Sequence, residues 1–202
     1  TACKSSVSSA RHSGAWFDIA ISPAGVLYAS DSYRLFPVDP VSGAAALIGS
    51  MGNFVNGMTF VGSTLYASGF QSLYTIAPAT GTAHLVGSTG VLSSGDLELF
   101  AGSLYMTAVI DEQSDGLVRL DPLTGQGTLI GSIGFPQVWG LAAESDRLFG
   151  FTSAGFVLSI DPATGAGTSL GWVNVPAYGA AAQQVPEPGA LCLLGSGLLA
   201  PA

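Results

Sequence analysis

The chain has 202 residues and a formal net charge of -8, with only 5 Lys and Arg against 13 Asp and Glu. So few basic side chains exclude a surface built to neutralise nucleic-acid phosphates or anionic lipid headgroups. The length suits one domain or one repeat array, and 28 glycines with 9% charged residues indicate a β-rich, turn-rich exported protein.

The first segment, residues 1–14, is a polar leader that we predict to be disordered. It starts at Thr1 without a methionine or an apolar signal segment, so we expect a processed or trimmed N-terminus. The leader carries Cys3, whereas Cys192 lies in an apolar stretch near the other end of the chain. We expect no structural disulfide between these two cysteines.

Residues 15–184 repeat one unit four times. The clearest mark of the unit is a turn of Asp or Ala, then Pro, then Thr or Ser two residues on, then Gly, and it starts at Asp39, Ala77, Asp121 and Asp161. Proline sets φ at the second turn position, aspartate can accept hydrogen bonds from the turn backbone, and glycine takes the positive φ. A period of about 40 residues indicates an array of supersecondary units, and propeller blades fall in that range.

The sequence of each unit predicts four antiparallel strands joined by short turns, and this arrangement is that of a propeller blade. The units cover residues 15–52, 53–90, 91–134 and 135–175, and an extra strand at 177–183 repeats the opening strand of the unit. The predicted fold class is therefore an all-β β-propeller of four visible four-stranded repeats. The extra strand could close the ring or begin a further blade, which leaves a small closed propeller, an incomplete ring and part of a larger array as alternatives.

Three motifs identify the kind of repeat. Gly-Leu-Ala at Gly140–Ala142, the Leu-Tyr pairs such as Leu65-Tyr66, and Ile-Asp-Pro-x-Thr-Gly at Ile160–Gly165 resemble the blades of NHL-type and related bacterial propellers. The resemblance covers residues 15–183. It implies the fold and no activity, because propellers host many functions.

Groups that could support catalysis are few. The two histidines, His12 and His84, lie in the leader and in the fourth strand of the second unit, and a Ser-His-acid triad is hard to assemble around histidines so placed. We therefore predict no catalytic residue, no bound metal and no cofactor. The competing hypothesis is a propeller hydrolase or lactonase with a metal in the central channel. Five polar residues on the inner strands could bind such a metal, namely Asp18, Asn56, Asp96, Glu98 and Glu144. We interpret them as scattered and without a shared repeat position.

An acidic insertion at Asp111–Gly116 makes the third unit the longest. Oxygen donors at loop positions one, three and five, with glycine at six, match the first half of a calcium loop. The second half fails, because Pro122 stands where a bidentate glutamate would be needed. A solvated acidic turn is the alternative interpretation.

Large aromatic residues fall near the unit boundaries, where the loops of neighbouring blades meet. These are Trp16, Trp139, Trp172 and Tyr178. In exposed loops such side chains stack on sugars or anchor a protein partner, and between blades they fill space. We favour the space-filling role because large aromatics are mostly buried.

We interpret the last segment, residues 185–202, as a sorting tail. Val185, Pro186, Glu187 and Pro188 precede a run without a charged side chain, and the two prolines confine any helix to the residues after them. This pattern resembles the PEP-CTERM sorting signal of Gram-negative exported proteins, which implies processing by an exosortase after export. The run is shorter than the about 20 residues that span a bilayer, and the terminal arginine cluster of that family is absent. A truncated signal, a degenerate signal, and a buried strand or helix are the alternatives.

The resemblance completes the functional hypothesis. Together with the scarcity of catalytic groups, the PEP-CTERM resemblance leads us to expect an exported, non-enzymatic protein of the cell envelope or extracellular matrix, held at the membrane by its tail before processing. Because such families accompany exopolysaccharide production, the partner it implies is a polysaccharide or a surface protein.

Overall fold

The computed structural model describes residues 16–174 and 177–182. These residues form sixteen strands in four antiparallel sheets, each built in sequence order, so the chain is a four-bladed β-propeller and the predicted fold class is confirmed. The leader and the tail at 185–202 lie outside the described residues. In chain order, four to a blade, the strands are β1 Asp18–Ile21, β2 Leu27–Ser30, β3 Arg34–Val38, β4 Gly49–Ser50, β5 Gly57–Val61, β6 Thr64–Gly69, β7 Ser72–Ile76, β8 Ala83–Ser88, β9 Ser93–Phe100, β10 Ser103–Val109, β11 Asp115–Leu120, β12 Gly127–Ser132, β13 Val138–Glu144, β14 Arg147–Thr152, β15 Phe156–Ile160 and β16 Gly167–Trp172.

The repeated turn joins the third and fourth strands of every blade, as predicted. In blade 1 the Oδ1 atom of Asp39 accepts the backbone N–H groups of Val41 at 2.8 Å and Ser42 at 3.0 Å, and these bonds hold the pKa of Asp39 below its ordinary value. The turn glycine has a φ between 68° and 80° in all four blades. Only glycine adopts that conformation without steric cost, which explains why the pattern repeats.

Blade 1 departs from the pattern in its outer strand, which shrinks to the two residues of β4. Pro37 lies in β3 at the position that Thr75, Arg119 and Ser159 hold in the other blades, where each pairs with the outer strand. Proline has no N–H to donate to that strand, so the ladder is interrupted beside it.

Apolar side chains from adjacent blades form three separate cores. One core joins each successive pair of blades, and together they contain most of the fully buried side chains of the described residues. Burial of apolar surface between blades is therefore the main stabilising contribution. Leu35, Leu73 and Leu117, which hold one repeat position on the face toward the next blade, are completely buried.

The interface between blade 4 and blade 1 is packed less tightly than the interfaces between successive blades. Val157, the equivalent of those three leucines, is only partly buried. In the first three blades a Cβ on the outer-strand glycine would overlap the threonine carbonyl in the next blade's turn, whereas a Cβ on Gly171 of blade 4 would meet nothing within 4 Å. Gly43 in the turn of blade 1 also faces open space. The outer parts of blades 4 and 1 are therefore not packed together as the other blades are.

Near the axis, residues 177–182 lie between β13 and β1. A Cβ on Gly140 would contact Gly179 and Ala180, and a Cβ on Gly179 would overlap Asp18. The ring of Tyr178 lies 5.4 Å from that of Trp139, centroid to centroid. The predicted extra strand thus takes the place of a fifth inner strand and joins the last blade to the first, although it forms no strand ladder in the described part.

The glycines between blades give a matched test. Gly87→Ala is expected to lower the free energy of unfolding by about 2 kcal/mol, because the new Cβ would overlap the carbonyl oxygen of Thr124 and force the blades apart. Gly171→Ala, at the same repeat position in blade 4, is expected to change it by less than about 0.5 kcal/mol. Urea unfolding of the two variants measures the difference, and equal losses would contradict the packing described.

Candidate functional site

Two buried aspartates face the propeller axis. Asp18 lies opposite Ser30 in β2, and the backbone N–H of Asp96 donates a hydrogen bond to Thr107 Oγ1 in β10, which places the two at one repeat position in blades 1 and 3. Gly57 and Gly140 hold that position in blades 2 and 4. The prediction that the inner-strand acids share no repeat position is therefore wrong for Asp18 and Asp96. The match is hidden in the sequence because the blades between them carry glycine at this repeat position.

These two carboxyl groups connect the inner strands. The N–H of Met58 in blade 2 donates to Asp18 Oδ2. Asp96 Oδ2 accepts the N–H of Leu141 in blade 4 at 2.7 Å and that of Ala180 at 3.2 Å. Each aspartate is thus hydrogen-bonded to the inner strand of the next blade, and Asp96 is also hydrogen-bonded to the segment at 177–182.

Both carboxyl groups hold their protons more tightly than ordinary aspartates do. Burial, with repulsion from Asp96, raises the pKa of Asp18 well above its ordinary value, and burial raises the pKa of Asp96 as well. Asp18 Oδ1 meets no N–H donor in the described residues, while the two side chains lie within hydrogen-bonding reach of each other. The two groups therefore titrate as a coupled pair.

Glu98 follows Asp96 by two residues on the same face of β9 and is only 4% exposed. Burial, with repulsion from Asp96 in second place, raises the pKa of Glu98 to about 9. At neutral pH its side chain is therefore an uncharged acid that can donate an O–H hydrogen bond. It borders a cavity of about 260 Å³ lined by Ala20, Ile21, Ser22, Pro23, Thr59, Phe60, Gly62, Glu98, Ala181 and Ala182.

The channel residues named for a metal only partly meet. Asp96 interacts with both Asp18 and Glu98, Glu144 is exposed at the end of β13, and Asn56 donates from Nδ2 to the carbonyl of Ser93 at 3.3 Å. Within residues 16–174 and 177–182, no group of three His, Cys, Asp or Glu side chains is placed to hold a metal ion. The oxygens of Asp18 and Asp96 face backbone N–H groups and each other, which is the arrangement of a structural pair.

The acidic insertion does not assemble a calcium loop. Asp111 Oδ1 accepts the N–H groups of Gln113 and Ser114, each at 2.8 Å, and closes its own turn. Asp115 points inward, where Oδ2 accepts the Ser94 hydroxyl at 2.5 Å and the N–H of Val138 at 2.7 Å. The donors at loop positions one and five therefore point to different partners.

Four aromatic rings form a continuous surface at the end of the axis opposite the cavity. We call Phe17, Tyr33, Phe54 and Phe70 the aromatic row. Phe54 is central, with ring centroids 6.5 Å from Phe17, 5.9 Å from Tyr33 and 4.9 Å from Phe70. The outer three rings are 40%, 54% and 60% exposed in chain order. Such a set of solvent-facing rings is typical of a binding surface.

Phe70 adopts a φ of 51°, in the left-handed region that bulky residues avoid. The turn itself needs this conformation: Ser32 in blade 1 has a φ of 77°, and the carbonyls of both residues accept an N–H from the connection to the next blade. Because serine meets that need in blade 1, the backbone does not explain why phenylalanine stands in blade 2. An exposed aromatic side chain at a strained position indicates a functional role.

The aromatic residues singled out from the sequence divide between the two roles. Trp16 packs edge-on against Phe36 at 5.2 Å, as expected of a space-filling residue. Trp172 is mostly exposed, and its indole N–H donates to the carbonyl of Ala154 at 2.7 Å. The aromatic row was missed, although its members all lie just before inner strands or between second and third strands, which places them at one end of the ring. The residues Val185, Pro186, Glu187 and Pro188 lie outside the described residues.

Comparison with known proteins shows the fold alone. No known protein family matches the sequence, and neither does any curated protein. Glutaminyl cyclase from Myxococcus xanthus is 17% identical with a TM-score of 0.57, covering 92% of this chain and 76% of that one. A protein of unknown function from Bacteroides thetaiotaomicron is 12% identical with a TM-score of 0.61, covering 82% of this chain and 53% of that one. The PQQ-bound aldose sugar dehydrogenase from Streptomyces coelicolor is 16% identical with a TM-score of 0.52, covering 75% and 60%.

The chain thus spans between about half and three quarters of the length of these structures. At such identities the likeness establishes the propeller architecture and carries no activity or ligand with it. The described residues contain no helix long and apolar enough to cross a membrane.

Proposed function

We propose that this chain is an exported, non-enzymatic binding protein of the cell surface or extracellular matrix, and that its aromatic row binds polysaccharide. The observation that carries the proposal is the exposed row of four touching rings, with Phe70 held at a strained position. The apolar faces of sugar rings stack on aromatic side chains, and several adjacent rings can contact several sugars of one chain.

The charge around the row supports a neutral ligand. Asp31 and Arg34, which lie on either side of Tyr33 in the sequence, form an ion pair with each other at 2.5 Å. The guanidinium of Arg34 also lies 5.5 Å from the centre of the Phe36 ring. Their charges are therefore engaged beside the row, and an uncharged polysaccharide fits this end better than a strongly charged protein would.

Export and sorting rest on the tail. Val185, Pro186, Glu187 and Pro188 followed by an uncharged run support recognition by an exosortase-type enzyme, with membrane contact through the tail before processing. The low overall charge and the many glycines agree with that setting. The alternative of a metal-dependent hydrolase or lactonase is less well supported, because the oxygens it needs already accept backbone N–H groups.

The test replaces one ring without disturbing its turn. Phe70→Ser gives blade 2 the residue type that blade 1 carries at Ser32, so the fold is expected to remain intact. Affinity electrophoresis in a panel of purified bacterial exopolysaccharides is expected to show at least about tenfold weaker binding, because one stacked ring contributes on the order of 1 kcal/mol or more. The matched control is Leu123→Ser, a residue 85% exposed at the opposite end, which should bind as the parent does. Equal binding by parent and Phe70→Ser would rule out the aromatic row as the saccharide surface.

A further inference from the structure

The cavity bordered by Glu98 lies where the inner strands end, at the opposite end of the axis from the aromatic row. Pro23, after β1, and Gly62, after β5, are exposed and form its mouth. Ala20, Thr59 and Glu98 are buried and form its floor. Its volume of about 260 Å³ exceeds the about 150 Å³ that accommodates benzene in an engineered apolar cavity. A small molecule or the end group of a larger one can therefore enter.

Glu98 is the charge-bearing side chain of this lining. It is 96% buried, it forms no ion pair in the described part of the chain, and the N–H of its neighbour Leu99 is the donor that reaches its carboxyl group. The carboxyl group borders the cavity, where it can bond a guest. Thr59, 7% exposed, adds a hydroxyl to the same lining, and small side chains at Ala20, Ala181 and Ala182 leave the space open.

We propose that this cavity binds a small neutral group that presents a carbonyl oxygen beside a methyl-sized apolar part, of which an acetamido group is the simplest form. The carbonyl oxygen accepts the O–H of Glu98, and the methyl group contacts the alanine wall. The amide N–H of such a group can donate to the Thr59 hydroxyl. The site does not rest on the proposed saccharide surface, which lies at the other end of the axis.

Charge selects against other ligands. An ammonium group would require Glu98 to lose its proton beside Asp96, and the repulsion between those two carboxyl groups is one of the causes that raise the pKa of Glu98. A carboxylate or phosphate would bring its charge into a lining that contains no basic side chain to pair with it. A neutral hydrogen-bond acceptor brings no charge into the cavity, and it gives the buried O–H of Glu98 a partner.

The test uses N-acetylglucosamine, with glucosamine and glucose as matched probes that lack the acetyl group. Titration of the full chain, followed by amide NMR shifts, is expected to show N-acetylglucosamine shifting the signals of Ala20, Thr59 and Ala181 at pH 7 with a millimolar Kd. At pH 10, above the pKa of about 9 for Glu98, binding is expected to weaken about tenfold because the donor proton is lost.

Two variants separate the hydrogen bond from the shape of the cavity. Glu98→Gln keeps an uncharged donor at every pH, so it is expected to bind at pH 7 and at pH 10 alike. Glu98→Leu removes the donor and is expected to weaken binding about tenfold at both pH values. Phe70→Ser, which alters only the aromatic row, should leave the titration unchanged, so the two proposals fail separately.

Three results would overturn the proposal: tighter binding of glucosamine than of its acetylated form, unchanged binding in Glu98→Leu, or no shift with any probe at about 50 mM. Far-UV circular dichroism of each variant confirms that the blades remain folded.

Discussion

The protein is expected to unfold at its highest temperature near pH 5 and at a temperature at least about 5 °C lower at pH 9. The buried acids Asp18, Asp96 and Glu98 have pKa values raised above those of the unfolded chain. Between pH 4 and 9 the folded state therefore holds more protons than the unfolded state, and stability falls as pH rises through that range. This is the reverse of ordinary acid denaturation.

The turn aspartates limit stability on the acidic side. Asp39, Asp121 and Asp161 have lowered pKa values because turn backbone N–H groups bond their carboxylates. Their contribution is present above the unfolded pKa and is lost as pH falls through the folded pKa, which sets the maximum above about pH 4. Calorimetry from pH 4 to pH 9 measures the curve, and Glu98→Gln should flatten its alkaline side. A melting temperature that stays constant or rises from pH 5 to pH 9 would contradict the protonated acid cluster.

Asp96→Ala is expected to lower the free energy of unfolding by about 3 kcal/mol at pH 5, because the N–H groups of Leu141 and Ala180 lose their shared acceptor. The unfolding free energies are compared at pH 5, because the free energy needed to protonate Asp96 in the parent protein is small at that pH. Toward pH 9 the alanine variant also avoids a proton-uptake cost that the parent bears, and the two effects partly cancel.

Asp96→Asn is the matched control. The amide oxygen can still accept from Leu141 and Ala180, and no proton is needed, so this variant should lie within about 1 kcal/mol of the parent at pH 5 and be more stable than the parent at pH 9. Urea unfolding gives both values, and hydrogen exchange at Ala180 should accelerate in the alanine variant alone. Equal stability of the two variants at pH 5 would show that Asp96 does not join the inner strands.

Local features of the sequence predicted the blades well. The turn from Asp161 to Gly165 determines its own conformation through one side chain and one positive φ, so four repeats of it were enough to place the third and fourth strands. Pro37 also acts locally, and the shortened β4 follows from its missing N–H.

The candidate sites depend on contacts that no local pattern encodes. Asp18 and Asp96 meet across the axis from different blades, and the alternate glycines at their repeat position obscure the match. Asp115 resembled a calcium ligand in the sequence, yet tertiary contacts with Ser94 and Val138 turn it inward. The aromatic row arises only when the connections of blades 1 and 2 are brought to one end of the ring.

If this propeller is the sorted, exported binding protein that we propose, the C-terminus of the native protein is cleaved. Intact mass and C-terminal peptide mapping on membrane and secreted fractions of the natural host should show a chain that ends in or near Val185–Pro188. Protein recovered from the cytoplasm with its apolar tail intact would contradict the sorting signal and, with it, the proposed surface role.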